Sequence, residues 1–164
     1  MRVEALWLAF VLALCAAINL QGQNEPSLSS RIVEVLKAKE PAWKPVATVD
    51  TRVPLAPGEK CILTVAFWKS AKSDSEHVYV SVYGVDNRGE AAAWLGPVHD
   101  RRVAVGWQIS VYPIGDEGFL AKYKDGKTFE IHFRKGNVVG KIAGNDLQSV
   151  SEFAKYIVDE IPPN

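Results

Sequence analysis

The chain predicts an α+β domain: an antiparallel sheet of about five to seven strands with N-terminal, short middle and C-terminal helices packed on it. Three observations carry this. Residues 128–134 alternate strictly, with Phe129, Ile131 and Phe133 on one side and Thr128, Glu130, His132 and Arg134 on the other, the period-two pattern of a half-buried strand. Asp125-Gly126 and Gly136-Asn137 flank that run, and both are hairpin dipeptides that tolerate positive φ. Leu147, Val150, Phe153, Ala154, Ile157, Val158 and Ile161 then recur at spacings of three and four, one apolar stripe of a closing helix.

The first residues read as a targeting segment. Arg2 precedes an apolar run from Ala5 to Leu20, short of the ~20 residues of a spanning helix and suited to a secretory signal. Residues 1–22 are therefore expected to be a signal peptide, cut after Ala17 or Gly22. Two other readings are a lipid anchor at Cys15, disfavoured by the bulky Leu14 before it, and an uncleaved anchor. The membrane is a partner only through this segment, if it stays uncleaved. The expected location is exported, periplasmic or extracellular. A polar linker follows over 23–28, and residues 29–164 form a single domain.

Removal of the signal leaves about 140 residues, enough for one real core. The whole chain has 19 basic and 19 acidic residues and no Lys/Arg run, which argues against nucleic acid. Only Cys61 survives cleavage, so no disulfide forms within the chain. With 48% hydrophobic and 23% charged residues, the body is not a disordered composition.

Within the domain, Ser29 or Ser30 is expected to cap a helix through Glu40, with Ile32, Val35, Leu36 and Lys39 on one side and Pro41 at its end. The proline-rich stretch to Glu59 is a loop with a short edge strand at 46–49 and a turn at Pro57-Gly58. Residues 61–68 form a strand apolar on both faces. Residues 77–85 form another, with Val78, Val80 and Val82 inward and His77, Tyr79, Ser81 and Tyr83 outward. Residues 89–95 read as a short helix stopped by Gly96-Pro97. Residues 107–112 alternate again, Trp107, Ile109 and Val111 in, Gln108, Ser110 and Tyr112 out.

The last three strands, about 118–124, 127–134 and 138–143, form a meander. The Gly136-Asn137 turn pairs Arg134 with Val139, Phe133 with Gly140 and Ile131 with Ile142, and Gly140 leaves room for the Phe133 ring. The first hairpin has two registers. A two-residue Asp125-Gly126 loop sets Tyr123 against Thr128 and puts Phe119 on the polar face. A bulged three-residue loop turns Phe119 to the core, and its burial favours that form. Asn145 is the expected cap of the final helix, with Asp146 at its positive end.

The tail, Gly115-Asp116-Glu117-Gly118, then Phe133-Arg134-Lys135-Gly136-Asn137-Val138-Val139 and a helix, resembles a recurrent ending in uncharacterised exported bacterial domains. It covers about the last 50 residues. The resemblance implies a hairpin plus helix and no catalytic residue.

No complete catalytic constellation is visible. The chain lacks a Gly-x-Ser-x-Gly elbow, a phosphate loop and a dinucleotide fingerprint, and no cofactor is implied. Cys61 shares a face with Leu63, Val65 and Phe67 and reads as core. Asp116-Glu117 read as turn formers. His77 and His132 on neighbouring strands, with Glu130 near, would make a weak metal or proton site for a small hydrolase or metal-dependent enzyme. The favoured expectation is a non-enzymatic binding or interaction domain. Its site would be the polar strand face, with Tyr79, Tyr83, Gln108, Tyr112, Glu130, His132 and Arg134 as ligand contacts. A small molecule, a glycan or an envelope protein is the expected partner.

Overall fold

The computed structural model describes residues 27–48, 60–73 and 75–163. The expected signal peptide, most of the linker and the Pro57-Gly58 turn lie outside the described residues, as does the Cys61 side chain. The elements are α1 (Leu28–Lys39), β1 (Trp43–Thr48), β2 (Lys60–Ser70), β3 (His77–Gly84), α2 (Arg88–Ala104), β4 (Gln108–Val111), β5 (Glu117–Lys122), β6 (Phe129–Lys135), β7 (Val138–Gly144) and α3 (Leu147–Glu160).

All seven strands join one antiparallel sheet in the order β1-β2-β3-β7-β6-β5-β4. Two meanders thus meet where β7 pairs with β3. The α+β class follows directly from this arrangement.

One face of the sheet carries the main core. Val78, Val80, Val82, Ile131, Phe133 and Ile142 are fully buried there beneath Ile32 and Leu36 of α1 and Val150, Phe153, Ala154 and Ile157 of α3. Trp43 and Trp68 meet the Phe153 ring edge-on, at 5.4 and 5.7 Å between centroids, contacts worth about 0.5–1.5 kcal/mol each beyond their burial. Lys135 Nζ donates to the Val158 carbonyl at 2.8 Å, a cation at the negative end of α3.

The β6–β7 register is the one the sequence predicts, with Ile131 opposite Ile142, Phe133 opposite Gly140 and Arg134 opposite Val139. A Cβ on residue 140 would overlap the Phe133 ring. The β5–β6 hairpin departs from the bulged expectation. Lys122 faces Phe129 and Phe119 faces His132, the two-residue register. Phe119 is buried all the same, at 6% exposure, because α2 covers the face it occupies. The expectation assumed one buried face; the sheet has two.

Three helix limits also differ. α1 starts at Leu28, with Ser27 as its cap accepting from the Ser30 amide at 3.2 Å. Asp146, rather than Asn145, caps α3, accepting from the Ser149 amide and hydroxyl at 2.8 and 2.6 Å. Asn145 instead ties down the turn before β3, accepting from the His77 amide and donating to the Ser75 carbonyl. The largest correction is α2, which runs through Pro97 to Ala104 instead of stopping at Gly96. Gly96 has no Cβ for the following proline ring to strike, which relieves the usual bar to a helical residue before proline. Asn87 caps its start, Oδ1 accepting from the Glu90 amide at 3.0 Å, while the Glu90 carboxylate accepts from the Asn87 side-chain amide and the Asp86 backbone amide.

Candidate functional site

Cross-strand pairing fixes which side chains share the α2 face. Ser81 faces Lys141, Lys141 faces His132, and His132 faces Phe119. A second row runs Tyr79, Ala143, Glu130, Ala121, and a third runs Tyr83, Val139, Arg134, Glu117. Five of the seven expected ligand residues, Tyr79, Tyr83, Glu130, His132 and Arg134, therefore do lie on one face.

Gln108 and Tyr112 do not. Gln108 faces Lys122, which faces Phe129, and this row belongs to the main-core side. Tyr112 packs against the main core near α3. The expected β4 inward set, Trp107 and Ile109, packs instead on the α2 side with Leu95, Phe119 and Ala121. Val111 of that set is 90% exposed.

The five do not form an open surface either. α2 lies across the face between two small apolar clusters. Tyr83, Val85, Ala91 and Val139 form one, and Leu95, Phe119 and Ala121 the other, with Trp94 touching both. Only Tyr79 is substantially exposed, and His132 is 1% exposed. Arg134 is drawn to the sheet end, where Nη1 donates to Asp116 Oδ2 at 3.1 Å and Nε lies 3.5 Å from Glu117. Asp116 also accepts from the Gly136 amide at 2.8 Å, bracing the β6–β7 turn, while Glu117 opens strand β5.

A polar group lies buried between the two clusters. Arg102 of α2 donates twice to Glu130, Nε to Oε2 at 2.6 Å and Nη2 to Oε1 at 3.0 Å. Its guanidinium also sits 5.0 Å from the centre of the Trp107 ring, a cation–π contact. His132 Nε2 donates to Glu130 Oε2 at 2.9 Å. An ionised carboxylate only accepts, so this bond places the imidazole proton on Nε2 and leaves Nδ1 with a lone pair. That Nδ1 is buried and has no hydrogen-bond partner among the described residues. The ring is held flat against Phe119, 4.7 Å between centroids and 19° between planes.

Burial pushes the His132 imidazole below its ordinary value and outweighs the Glu130 hydrogen bond; Arg102 and Lys141 push the same way. Burial alone would raise the Glu130 carboxyl, but His132, Arg102 and Lys141 together bring it below the usual carboxylate range. The group is a carboxylate held by arginine and a neutral histidine.

Beside it lies a cavity of about 220 Å³ lined by Ser81, Tyr83, Trp94, Val98, Arg101, Arg102, His132 and Lys141. Of these, Arg101 is exposed and Lys141 acts electrostatically on Glu130 and His132. A larger cavity, about 650 Å³, opens between α2 and the 111–119 segment. There His99 is engaged with Asp100, and Asp116 and Glu117 with Arg134. The smaller cavity is the better candidate because Ser81, Arg101, Arg102 and Lys141 converge on it beside the aromatic Tyr83 and Trp94.

His77 stands apart from this group. It lies two strands from His132 with β7 between them, and four residues along β3 from Ser81, about 16 Å away by strand geometry. Its Nδ1 lies 3.1 Å from the Ser75 carbonyl. Among the described residues no three His, Cys, Asp or Glu side chains are grouped to hold a metal. No described helix is long and apolar enough to cross a membrane.

Sequence reading missed Trp94, Arg101, Arg102 and Lys141. Their signal was present: Ala91, Leu95, Val98 and Arg102 are spaced three and four apart, one face of a helix that ignores Pro97. Comparison of the chain with protein-family models, curated proteins and solved structures finds no match.

Proposed function

We propose that this chain is an exported, non-enzymatic binding domain whose site is the cavity between α2 and the sheet. One observation carries the reading: a cavity formed between α2 and the sheet is lined by the polar side chains of Ser81, Arg101, Arg102 and Lys141. Three aromatic or aliphatic walls, Tyr83, Trp94 and Val98, bring apolar contact to the same space.

The N-terminal apolar run is the basis for export. Intact mass of the secreted chain should place its start between Ile18 and Asn24; retention of Met1 to Leu20 would replace secretion with anchoring.

The test of binding is direct. Protein purified under mild conditions should carry, or be stabilised by, a compound small enough for the cavity. Ser81→Phe, which puts a ring into that space, should lose it. Retention of the same compound by the filled variant refutes the site.

A second reading is favoured by the Glu130–His132 bond, which orients the ring as carboxylates do for catalytic bases. Among the described residues no serine partner completes it. Ser81 lies two strands away, about 10 Å, beyond hydrogen-bond reach of Nδ1. Incubation separates the readings, since a binding domain returns its compound unchanged and an enzyme does not.

A further inference from the structure

We propose that the open edge of β4 docks a second copy of this chain, the two β4 strands pairing antiparallel about a twofold axis at Ser110. No residue of β4 lines the cavity beneath α2, so the two readings stand or fall separately.

The sheet has two edges, and they differ. β1 carries an exposed Lys44, lacks an N–H at Pro45 and breaks register between Pro45 and Ala47. All three features hinder the addition of another strand. β4 has none of them. Gln108–Val111 pairs with β5 without a register break, and residues 103–115 contain no charged side chain. Among the described residues the exposed large hydrophobic side chains are Val46, Tyr79, Val103, Val105 and Val111. Three of these lie on β4 or just ahead of it in the chain, and Val111 is 90% exposed.

The ladder parity of β4 identifies the open backbone groups. Tyr112 N–H donates to the Gly118 carbonyl at 3.0 Å. In an antiparallel ladder Ser110 and Gln108 then also turn toward β5, opposite Leu120 and Lys122. Ile109 and Val111 turn the other way, where no strand follows, and among the described residues their N–H and C=O groups have no partner on that side. The open stretch is bounded at both ends. Trp107 N–H donates to the Arg102 carbonyl at 3.0 Å, and Pro113 has no N–H.

This edge is its own complement. With the axis at Ser110, Ile109 of one copy stands opposite Val111 of the other, and the two residues exchange both hydrogen bonds. The symmetry repeats the pair, so every open N–H on both edges finds an open C=O. Each cross-strand pair is β-branched on β-branched. Ser110 meets Ser110, and no charge on the strand meets its like. A foreign strand could use the same groups, but a second copy supplies the matching length and apolar side chains by symmetry. Because β1 is protected, growth stops at two chains.

A contact this small is weak. Sedimentation of the purified chain from about 10 µM to about 1 mM should show the mass rising from one chain toward two and no further. Val111→Pro removes an outward N–H and spares the β5 ladder. It should weaken the dimer at least about tenfold and leave urea melts unchanged. Cysteine crosslinking reads the register even if that variant fails to fold. Ser110→Cys puts two thiols on the axis, where Cα atoms of a non-hydrogen-bonded pair lie about 4.5 Å apart, within disulfide reach. Gln108→Cys faces residue 112 of the second copy and lies roughly 13 Å along the strands from its own equivalent. After mild oxidation, peptide mapping should find a bridge from 110 to 110 and none from 108 to 108. A chain that stays monomeric throughout, as it would if the edge took only another protein's strand, overturns the proposal. So does a dimer that Val111→Pro leaves as tight, or equal bridging in the two cysteine variants.

Discussion

Arg102 and Glu130 bind each other through two parallel hydrogen bonds, 2.6 and 3.0 Å, that pin the last turn of α2 to the start of β6. The carboxylate has only 9% of its side-chain surface exposed and the guanidinium 25%. With the apolar contacts of Ala91, Trp94 and Leu95, this bond helps hold the second helical layer over the face that carries His132, and the same Glu130 oxygen accepts from Arg102 and from His132.

Arg102→Met should therefore destabilise the domain by about 3 kcal/mol, the lower end of the range for leaving one buried charge without its partner. Glu130→Met in the same chain should recover most of that loss, since two apolar side chains leave no buried charge. Urea melts of the two singles and the double form the cycle. Additive losses would mean that the pair contributes no coupling.

The same group gives a pH signature. Folding lowers the His132 pKa, so the unfolded chain binds more protons as pH falls through its ordinary value of about 6.5. Stability contributed by neutral His132 is complete above that value and is lost as pH drops from about 6.5 toward the lower folded value. Glu130 is also lowered, and its contribution is lost further down, below about 4.5. His132→Phe should remove the upper part of the decline and keep the lower. An unchanged melting-temperature profile between pH 7 and 5 would show that burial does not hold the ring neutral.

The sequence made one layer of this fold legible and hid the other. The main-core face was readable because Phe129, Ile131 and Phe133 alternate with polar residues and α3 has one apolar stripe. The α2 face was read as solvated because its residues, Glu130, His132, Tyr79 and Arg134, are polar by type. Their burial depends on a helix whose own signal is interrupted by Gly96-Pro97. Once α2 is shortened to 89–95, Arg102 falls in a loop, Glu130 loses its partner, and Phe119 has to be sent to the wrong face. One local rule about proline thus displaced a hairpin register and hid the cavity under α2 together. The split of Gln108 and Tyr112 from the other site residues has a separate cause: alternation within β4 shows which residues share a side, but not which sheet face that side joins.

On the opposite face, Phe133 and Gly140 are matched by volume. Phe133→Ala should cost about 3–5 kcal/mol, the range for truncating a buried ring. Gly140→Ala should cost about 1–3 kcal/mol because its Cβ strikes that ring. In a Phe133→Leu background the alanine should cost much less, since the ring atoms it strikes are gone. Equal penalties in both backgrounds would place the strain in the β7 backbone instead.

Pro97 tests the helix that the sequence conceals. In the interior of α2 it withholds an N–H from the Ala93 carbonyl, and an interior proline is about 3 kcal/mol worse than alanine in a helix. Pro97→Ala should raise stability, by less than that figure because the unfolded chain regains the freedom proline denied it. Gly96 bears on the same bond. Nothing lies within 4 Å of a Cβ built there, so Gly96→Ala should gain up to about 1 kcal/mol of helix propensity. In the native chain the new Cβ meets the Pro97 ring, which disfavours helical backbone at the preceding residue, and the gain should vanish or reverse. In the Pro97→Ala chain it should appear in full. A Gly96→Ala effect that is the same in both chains would show that Pro97 exerts no strain on the helix. If Pro97→Ala itself lowers stability, the proline ring contributes contacts that outweigh the hydrogen bond it removes.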